Sequence, residues 1–396
     1  MKLQIQTSAL RQALSEAAKN IGKKPAAVIM ENVLLTQREG DGKFFFTTAN
    51  GGDSVLTLPV DLELVEGSFG KPIVLPFNDL SKLIAALPGD TMITLAFSGK
   101  DNLEISYCLS KGEDVKTGKV NLAFFPADDF PDFAEVKDIT QKIHLPNYFF
   151  KKALTNAGKF CGNDELRPVM STLCFDLKED LSQLVAAASD GYSLYKTTLS
   201  NDTEHGGYDF YCEGKPGRTM VCSCFFSALS VFEKSEDVYI ETNGSLLQFY
   251  SGDITFKCRG VDGNYPNYDS VIPKDSPSKV IFDKREFLDV LKRVGLFAPE
   301  SSNCIRMEKD GMFLNLSAED IDFSRAATEE VLITDSECPD HYAIGFNGIR
   351  LRDALAAIPG DSVCINLGDS RRAAVITADE PAQNTLLLVM PMLLNN

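Results

Sequence analysis

Residues 5–14 (IQTSALRQAL), 145–154 (LPNYFFKKAL) and 282–291 (FDKREFLDVL) open alike, each a short strand end feeding an amphipathic helix. Their starts lie 140 and 137 residues apart. A second helix follows in each stretch, and two of these are near copies. Phe77-Asn78 leads to Ala86-Leu87-Pro88-Gly89-Asp90, and Phe346-Asn347 leads to Ala357-Ile358-Pro359-Gly360-Asp361. A repeat of this period sets the architecture before any single residue is interpreted. The 396 residues therefore read as three units of about 130 residues each.

Between the helices lie alternating strand candidates: Val33-Leu34-Leu35-Thr36, Phe44-Phe45-Phe46-Thr47, Met92-Ile93-Thr94-Leu95 and Leu103-Glu104-Ile105-Ser106. Further along come Leu173-Cys174-Phe175-Asp176-Leu177, Val238-Tyr239-Ile240-Glu241, Ile254-Thr255-Phe256-Lys257 and Phe313-Leu314-Asn315-Leu316. Gly40-Asp41-Gly42, Gly51-Gly52-Asp53, Asn243-Gly244 and Asp310-Gly311 supply the turns. Many short strands with two helices per unit make an α+β fold, the helices covering one face of antiparallel sheet. Phe130-Pro131-Asp132-Phe133 and Tyr265-Pro266-Asn267-Tyr268 read as extended crossings, because proline disfavours helix at and before its own position. They divide the chain into 1–134, 135–268 and 269–396.

Composition narrows the class. At 44% hydrophobic and 24% charged residues the chain is ordinary globular material, and no apolar run approaches a membrane span. The longest, residues 386–394, is interrupted by Pro391 and reads as a final strand with a tail. The first ten residues lack the apolar core of a secretory signal. The ten cysteines contain no C-x-x-C, so the expectation is reduced thiols in the cytoplasm and no zinc site. A formal charge of −17 excludes a uniformly basic coat for nucleic acid, but not basic side chains gathered on one surface. No nucleotide-binding loop, nucleophile elbow or H-E-x-x-H motif occurs. Asp190-Gly191 is most simply a turn, and Asp128-Asp129 with Asp132 an acidic crossing loop. No cofactor and no catalysis are expected.

Four motifs in order carry a resemblance. Val261-Asp262-Gly263-Asn264-Tyr265-Pro266-Asn267-Tyr268 with Val271-Ile272-Pro273-Lys274 resembles the signature between the second and third domains of the bacterial DNA polymerase III β sliding clamp. Ala188-Ser189-Asp190-Gly191-Tyr192-Ser193-Leu194 resembles that family's A-T-D-G-H-R-L, and Leu388-Val389-Met390-Pro391-Met392 its V-V-M-P-M ending. The first 35 residues are similar without a gap, so the resemblance covers essentially the whole chain.

The resemblance implies a head-to-tail homodimeric ring of six domains that encircles duplex DNA and raises polymerase processivity. A heterologous interface that closes after two copies meets the symmetry rule for rings. Val120 and Leu122 match one side of that interface, and Leu296 and Phe297 the other. Basic residues recur in the first helices: Lys19, then Lys23 and Lys24; Lys151, Lys152 and Lys159; Lys292 and Arg293; and Arg350 and Arg352 in a second helix. Lys151 and Lys159 are eight apart, about two helical turns, as are Lys284 and Lys292. Such faces offer phosphate contacts without base readout, as sliding requires. Lys24 and Arg167 match family positions that touch DNA. Where the family has a basic pair, the second helix of unit two opens Cys222-Ser223-Cys224-Phe225-Phe226, which makes DNA contact weaker there.

The family also docks short apolar peptides of polymerase, clamp-loader and repair proteins in a groove. Carried over, that groove uses Met170, Ser189, Gly191, Tyr192, Leu194 and Pro266. From the C-terminal third it adds Val271, Asn347, Leu388, Met390, Pro391 and Met392. Thioethers and aliphatics make an adaptable surface. Tyr192-Ser193, Ser270 and Leu393 stand where the family has cations, so acidic peptides are expected to lose charge-assisted bonds. An alternative reading is a clamp-like scaffold that no longer loads on DNA.

Overall fold

Alternation builds the first strand: in Lys2–Gln6 the two apolar side chains point inward and their neighbours outward. The chain then turns directly into a helix, and the same junction occurs three times. Lys2–Gln6 enters α1 (Thr7–Ala18), Gln141–Pro146 enters α3 (Asn147–Phe160), and Ser278–Asp283 enters α5 (Lys284–Gly295). The other helices are α2 (Phe77–Ala86), α4 (Phe226–Leu229) and α6 (Gly348–Ala357). The computed structural model describes residues 1–22, 27–99, 101–111, 114–200, 210–368, 371–379 and 384–394. No described helix is long and apolar enough to cross a membrane.

Two compact units emerge. The first comprises Met1–Lys151, Tyr211–Lys215 and Cys224–Gly260. It holds a five-stranded antiparallel sheet in the order Glu63–Glu66, Lys2–Gln6, Met92–Ser98, Asn102–Lys111, Asp114–Ala123. Its ten-stranded sheet joins Ser54–Val60 to Ile254–Arg259, with Thr255 opposite Thr57 and Cys258 opposite Ser54. Leu10 and Leu14 of α1 and Leu80 and Ile84 of α2 bury against Leu3, Ile5, Phe44 and Phe46. That burial, rather than helix propensity, holds these short helices.

The second unit comprises Lys152–Phe210, Pro216–Ser223 and Val261–Asn396. Its strands run continuously from Gly217–Cys222 through Thr172–Leu177, Gln183–Ser189 and Ser193–Ser200 to Thr385–Val389, and on to Ser278–Asp283 and Arg325–Ser336. Here Ser193–Ser200 receives Thr385–Val389, from Ser193 opposite Val389 to Thr197 opposite Thr385. The Asp283 carboxylate caps α5 by accepting from the Glu286 amide at 2.8 Å, and Lys292 and Arg293 occupy its last turn, where cations suit the helix dipole.

Two expectations need correction. The second helix of unit two is a short α turn, α4, between 3-10 segments Ser223–Phe225 and Ser230–Lys234. Phe225, Val231 and Phe232 are buried there and the Ser230 hydroxyl donates to Ser227 O at 2.8 Å, competing with the helical ladder. The final strand also breaks at Met390. Thr385–Val389 stays with Ser193–Ser200, whereas Pro391 and Met392 pair with Phe346 and Gly345. The Met390 amide makes the last bond in register with Ser193–Ser200, to Tyr192 O at 2.8 Å, and Pro391 has no N–H to continue it.

Candidate functional site

The Asp190 turn decides where the site begins. Gly191 sits at φ +87°, a left-handed conformation that glycine adopts without penalty. Asp190 Oδ1 accepts from the Tyr192 amide at 2.9 Å, the Ser193 amide at 2.7 Å and the Ser193 hydroxyl at 2.9 Å. Burial opposes the charge on Asp190, but these donors, with Arg350, outweigh it and hold the carboxyl below its ordinary value. The turn thrusts Tyr192 outward, 59% exposed, at the mouth of a cavity of about 180 Å³ within the second unit.

Nine of the twelve groove residues expected from the sequence line this cavity. Met170, Ser189, Gly191, Tyr192 and Leu194 come from the 3-10 turn before Thr172–Leu177 and from the Asp190 turn with its flanking strands. Pro266, Val271, Leu388 and Met390 close the far side. The other three lie outside the lining. Asn347 caps α6, its Oδ1 accepting from the Ile349 and Arg350 amides at 3.1 Å each. Pro391 and Met392 belong to the short pairing with Phe346 and Gly345.

Sequence reasoning missed Ser193, Tyr265, Asn267, Tyr268 and Ala373 in the lining. The tyrosines were visible as a crossing motif, but its proline masked their burial at 3% exposure each. Ala373 carried no signal; the sheet alone brings it there.

Behind the tyrosines lies a charged network. Tyr268 Oη donates to Asp176 Oδ2 at 2.5 Å, and Lys178 and Arg218 approach that oxygen at 3.1 and 3.2 Å. Asp269 pairs with Lys196 at 2.7 Å and Lys178 at 3.5 Å. The Tyr268 ring has the three cations 5.2, 5.5 and 5.4 Å from its centroid, within cation–π range. Arg218 Nη1 also donates to Tyr265 O at 2.6 Å. The network fastens the segment that forms one wall of the cavity. Burial, then Asp176, pushes the Tyr268 phenol well above its ordinary value.

The expected DNA-facing cations distribute unevenly. Lys23 and Lys24 lie outside the described residues. Lys19 pairs with Glu16 at 2.6 Å, Arg167 with Asp164 at 2.8 Å, Arg293 with Glu329 at 2.6 Å and Arg352 with Asp353 at 2.9 Å. Lys152 is turned inward: its Nζ donates to Thr385 Oγ1 at 2.8 Å, and burial lowers its pKa. Arg350 stands at the cavity mouth, with Nη2 2.9 Å from Asp190 Oδ2 and its guanidinium 4.8 Å from the Tyr192 ring centroid. Lys152 and Arg350 thus reach across to distant segments of the second unit. Among the described residues Lys151, Lys159 and Lys292 make no ion pair and are exposed.

Of the expected interface residues, Val120 and Leu122 are partly buried against the first unit's core, in the edge strand Asp114–Ala123. Leu296 and Phe297, just past α5, are 71% and 38% exposed. No group of three or more potential metal ligands occurs among the described residues.

An apolar cavity in the second unit and an edge strand in the first, on repeated strand–helix units, fit a binding and assembly protein of α+β type. The family described as DNA polymerase III beta subunit, N-terminal domain, matches residues 1–134, and that of the C-terminal domain matches residues 269–393. Together they span well over half of the chain, which belongs to the DNA polymerase III beta subunit family. The beta sliding clamp of Synechococcus elongatus is 24% identical, over 100% of both chains, and that of Bacillus subtilis 22%, over 99% of both. The crystal structure of the DNA polymerase III beta chain from Streptococcus pneumoniae is similar at a TM-score of 0.84 with 19% identity, covering 99% of this chain and 100% of that one. A sliding clamp from Pseudomonas aeruginosa bound to griselimycin gives 0.82 at 22% identity, covering 100% of each.

Proposed function

We propose that the chain works as a closed homodimeric ring around duplex DNA. It is a DNA polymerase processivity factor, and the ring is how it would act: it slides without reading sequence and tethers its partners. Its domains in this reading are 1–134, 135–268 and 269–396. It contributes no chemistry of its own, because topological linkage supplies processivity and the polymerase supplies catalysis. Its place of action is the cytoplasm.

The observation that supports closure most is a joint made twice and left open once. The last strand of one sheet docks on an edge strand at Ile254–Arg259 with Ser54–Val60, and again at Thr385–Val389 with Ser193–Ser200. Among the described residues the corresponding strand Asp114–Ala123 has Asn102–Lys111 on one side and nothing on the other. Residues 325–332 of Arg325–Ser336 pair, among the described residues, with Phe313–Asp320 alone. Two long bare edges in one chain are an aggregation hazard unless they meet. Joining the edge of one copy to that of the next, with Val120, Leu122, Leu296 and Phe297 alongside, closes the ring after two copies.

DNA would be held by Lys19, Lys23, Lys24, Lys151, Lys159, Arg167, Lys292, Arg293 and Arg352 through phosphates, and partner peptides by the cavity at Tyr192 and Met390. The test is retention on nicked circular DNA after loading, against the same DNA linearised, in high salt. Salt weakens phosphate contacts steeply and leaves a topological link intact. Retention on circles with loss from linear ends is expected. Equal loss from both, with a loader competent on another clamp, would overturn the sliding ring and favour a scaffold.

A further inference from the structure

The cavity is apolar, with Arg167 Nη1 3.9 Å from the position of a Cβ at Gly191, and a second cation, Arg350, packs on its lining residue Tyr192 in a position a helix does not favour. Arg350 lies in the first turn of α6, where the helix dipole disfavours positive charge. It is kept there by Asp190. The guanidinium Nε donates to Asp190 Oδ2 at 3.0 Å and Nη2 approaches the same oxygen at 2.9 Å. The other oxygen, Oδ1, is fully occupied by the turn. A guanidinium carries five N–H donors in a flat fork. Nη1 has no partner among the described residues, and the side chain is 36% exposed. The Tyr192 ring beneath it holds the plane in place. The fork is therefore oriented and only partly used.

We propose that Arg350 reads a carboxylate on the partner peptide, so that the groove selects an acidic side chain next to a bulky apolar one. This rests on the groove reading above. A cavity of about 180 Å³ is close to the volume that accepts a benzene ring, enough for one aromatic or aliphatic anchor. Tyr192 both lines that cavity and stacks under Arg350, so the carboxylate sits one or two residues from the anchor. Asp190 need not be displaced, because Nη1 remains available. The cations missing at Tyr192, Ser193, Ser270 and Leu393 are thus replaced from α6 by a residue the sequence assigned to DNA.

The test uses fluorescein-labelled hexapeptides carrying one bulky apolar anchor, leucine or phenylalanine, with one glutamate walked through the other positions, each compared with its glutamine twin by anisotropy on the full chain. At one or two adjoining positions the glutamate peptide should bind roughly three- to tenfold tighter at low salt, a ratio that shrinks as salt rises. Arg350→Met should bring that ratio to about one while the glutamine peptides still bind, and Arg350→Lys should keep part of it. Peptides that bind with no glutamate preference at any position would overturn the role of Arg350, as would a preference unchanged in Arg350→Met. The wild-type comparison needs no variant, so a poorly folded mutant does not protect the proposal. Failure of every peptide to bind the wild type would overturn the groove reading itself.

Discussion

Tyr268→Phe probes the charged network from its least disruptive side. The phenol is 3% exposed and its bond to Asp176, itself 6% exposed, is 2.5 Å long. Hydrogen bonds to charged groups contribute roughly 1.5–3 kcal/mol. Asp176 would keep Lys178 at 3.1 Å and Arg218 at 3.2 Å, so the carboxylate is not orphaned and the lower end applies, about 1.5 kcal/mol. Asp176→Ala is harsher, because it leaves two cations and a buried hydroxyl facing the space. Full loss of a buried pair costs roughly 3–5 kcal/mol. Lys178 and Arg218 are about a third exposed and retain Asp269 and Tyr265 O, which reduces this to about 2–3 kcal/mol. Native-state hydrogen exchange of Thr172–Leu177 and residues 261–271 is the assay, since it reads local opening free energies without assuming two-state unfolding. Exchange should quicken roughly tenfold in Tyr268→Phe and roughly 30- to 150-fold in Asp176→Ala, with Lys2–Gln6 in the other unit unchanged as the internal control. Less than a twofold change across residues 261–271 in both variants would refute the network as the fastening of that wall.

Three further outcomes follow from the geometry. Gly191→Ala meets Arg167 Nη1 and Met170 Cε no closer than 3.9 Å, so its cost comes from the φ of +87°, roughly 1–2 kcal/mol; calorimetry should show the second unit's transition lowered by roughly 2–8 °C. Asp190, whose pKa is depressed in the fold, stabilises above its unfolded value near about 3.9 and ceases to as pH falls through the lower folded value. The melting gap between wild type and Asp190→Asn should therefore hold steady above about pH 5 and close below about pH 4, and a gap that widens on acidification would contradict the assignment. In the proposed ring, Leu296→Asp with Phe297→Asp should weaken self-association by roughly 100-fold or more by burying unpaired charge, read by sedimentation velocity at micromolar concentration; self-association undiminished by the pair would rule these two residues out of the interface.

The chain displays its architecture openly because the decisive signals are local. Strand-to-helix junctions at residues 5–14, 145–154 and 282–291 rest on apolar periodicity and turn chemistry, which depend on neighbours a few positions away. Gly191 in its turn and the strand at Thr172–Leu177 were legible for the same reason. Most of the cavity was legible too, since Tyr192, Pro266, Leu388 and Met390 lie in recognisable motifs.

What the sequence could not contain was which charge meets which. Arg350 reads as one more helical cation until the fold sets it against Asp190, 160 residues away, and Lys152 reads as surface until Thr385 receives it. Tyr265 and Tyr268 read as a linker until Arg218 and Asp176 draw them into the wall. Local periodicity determines where strands and helices begin. Pairing among buried polar groups is settled only when distant segments share one dry interior, where an unmet charge is costly and the nearest partner takes it.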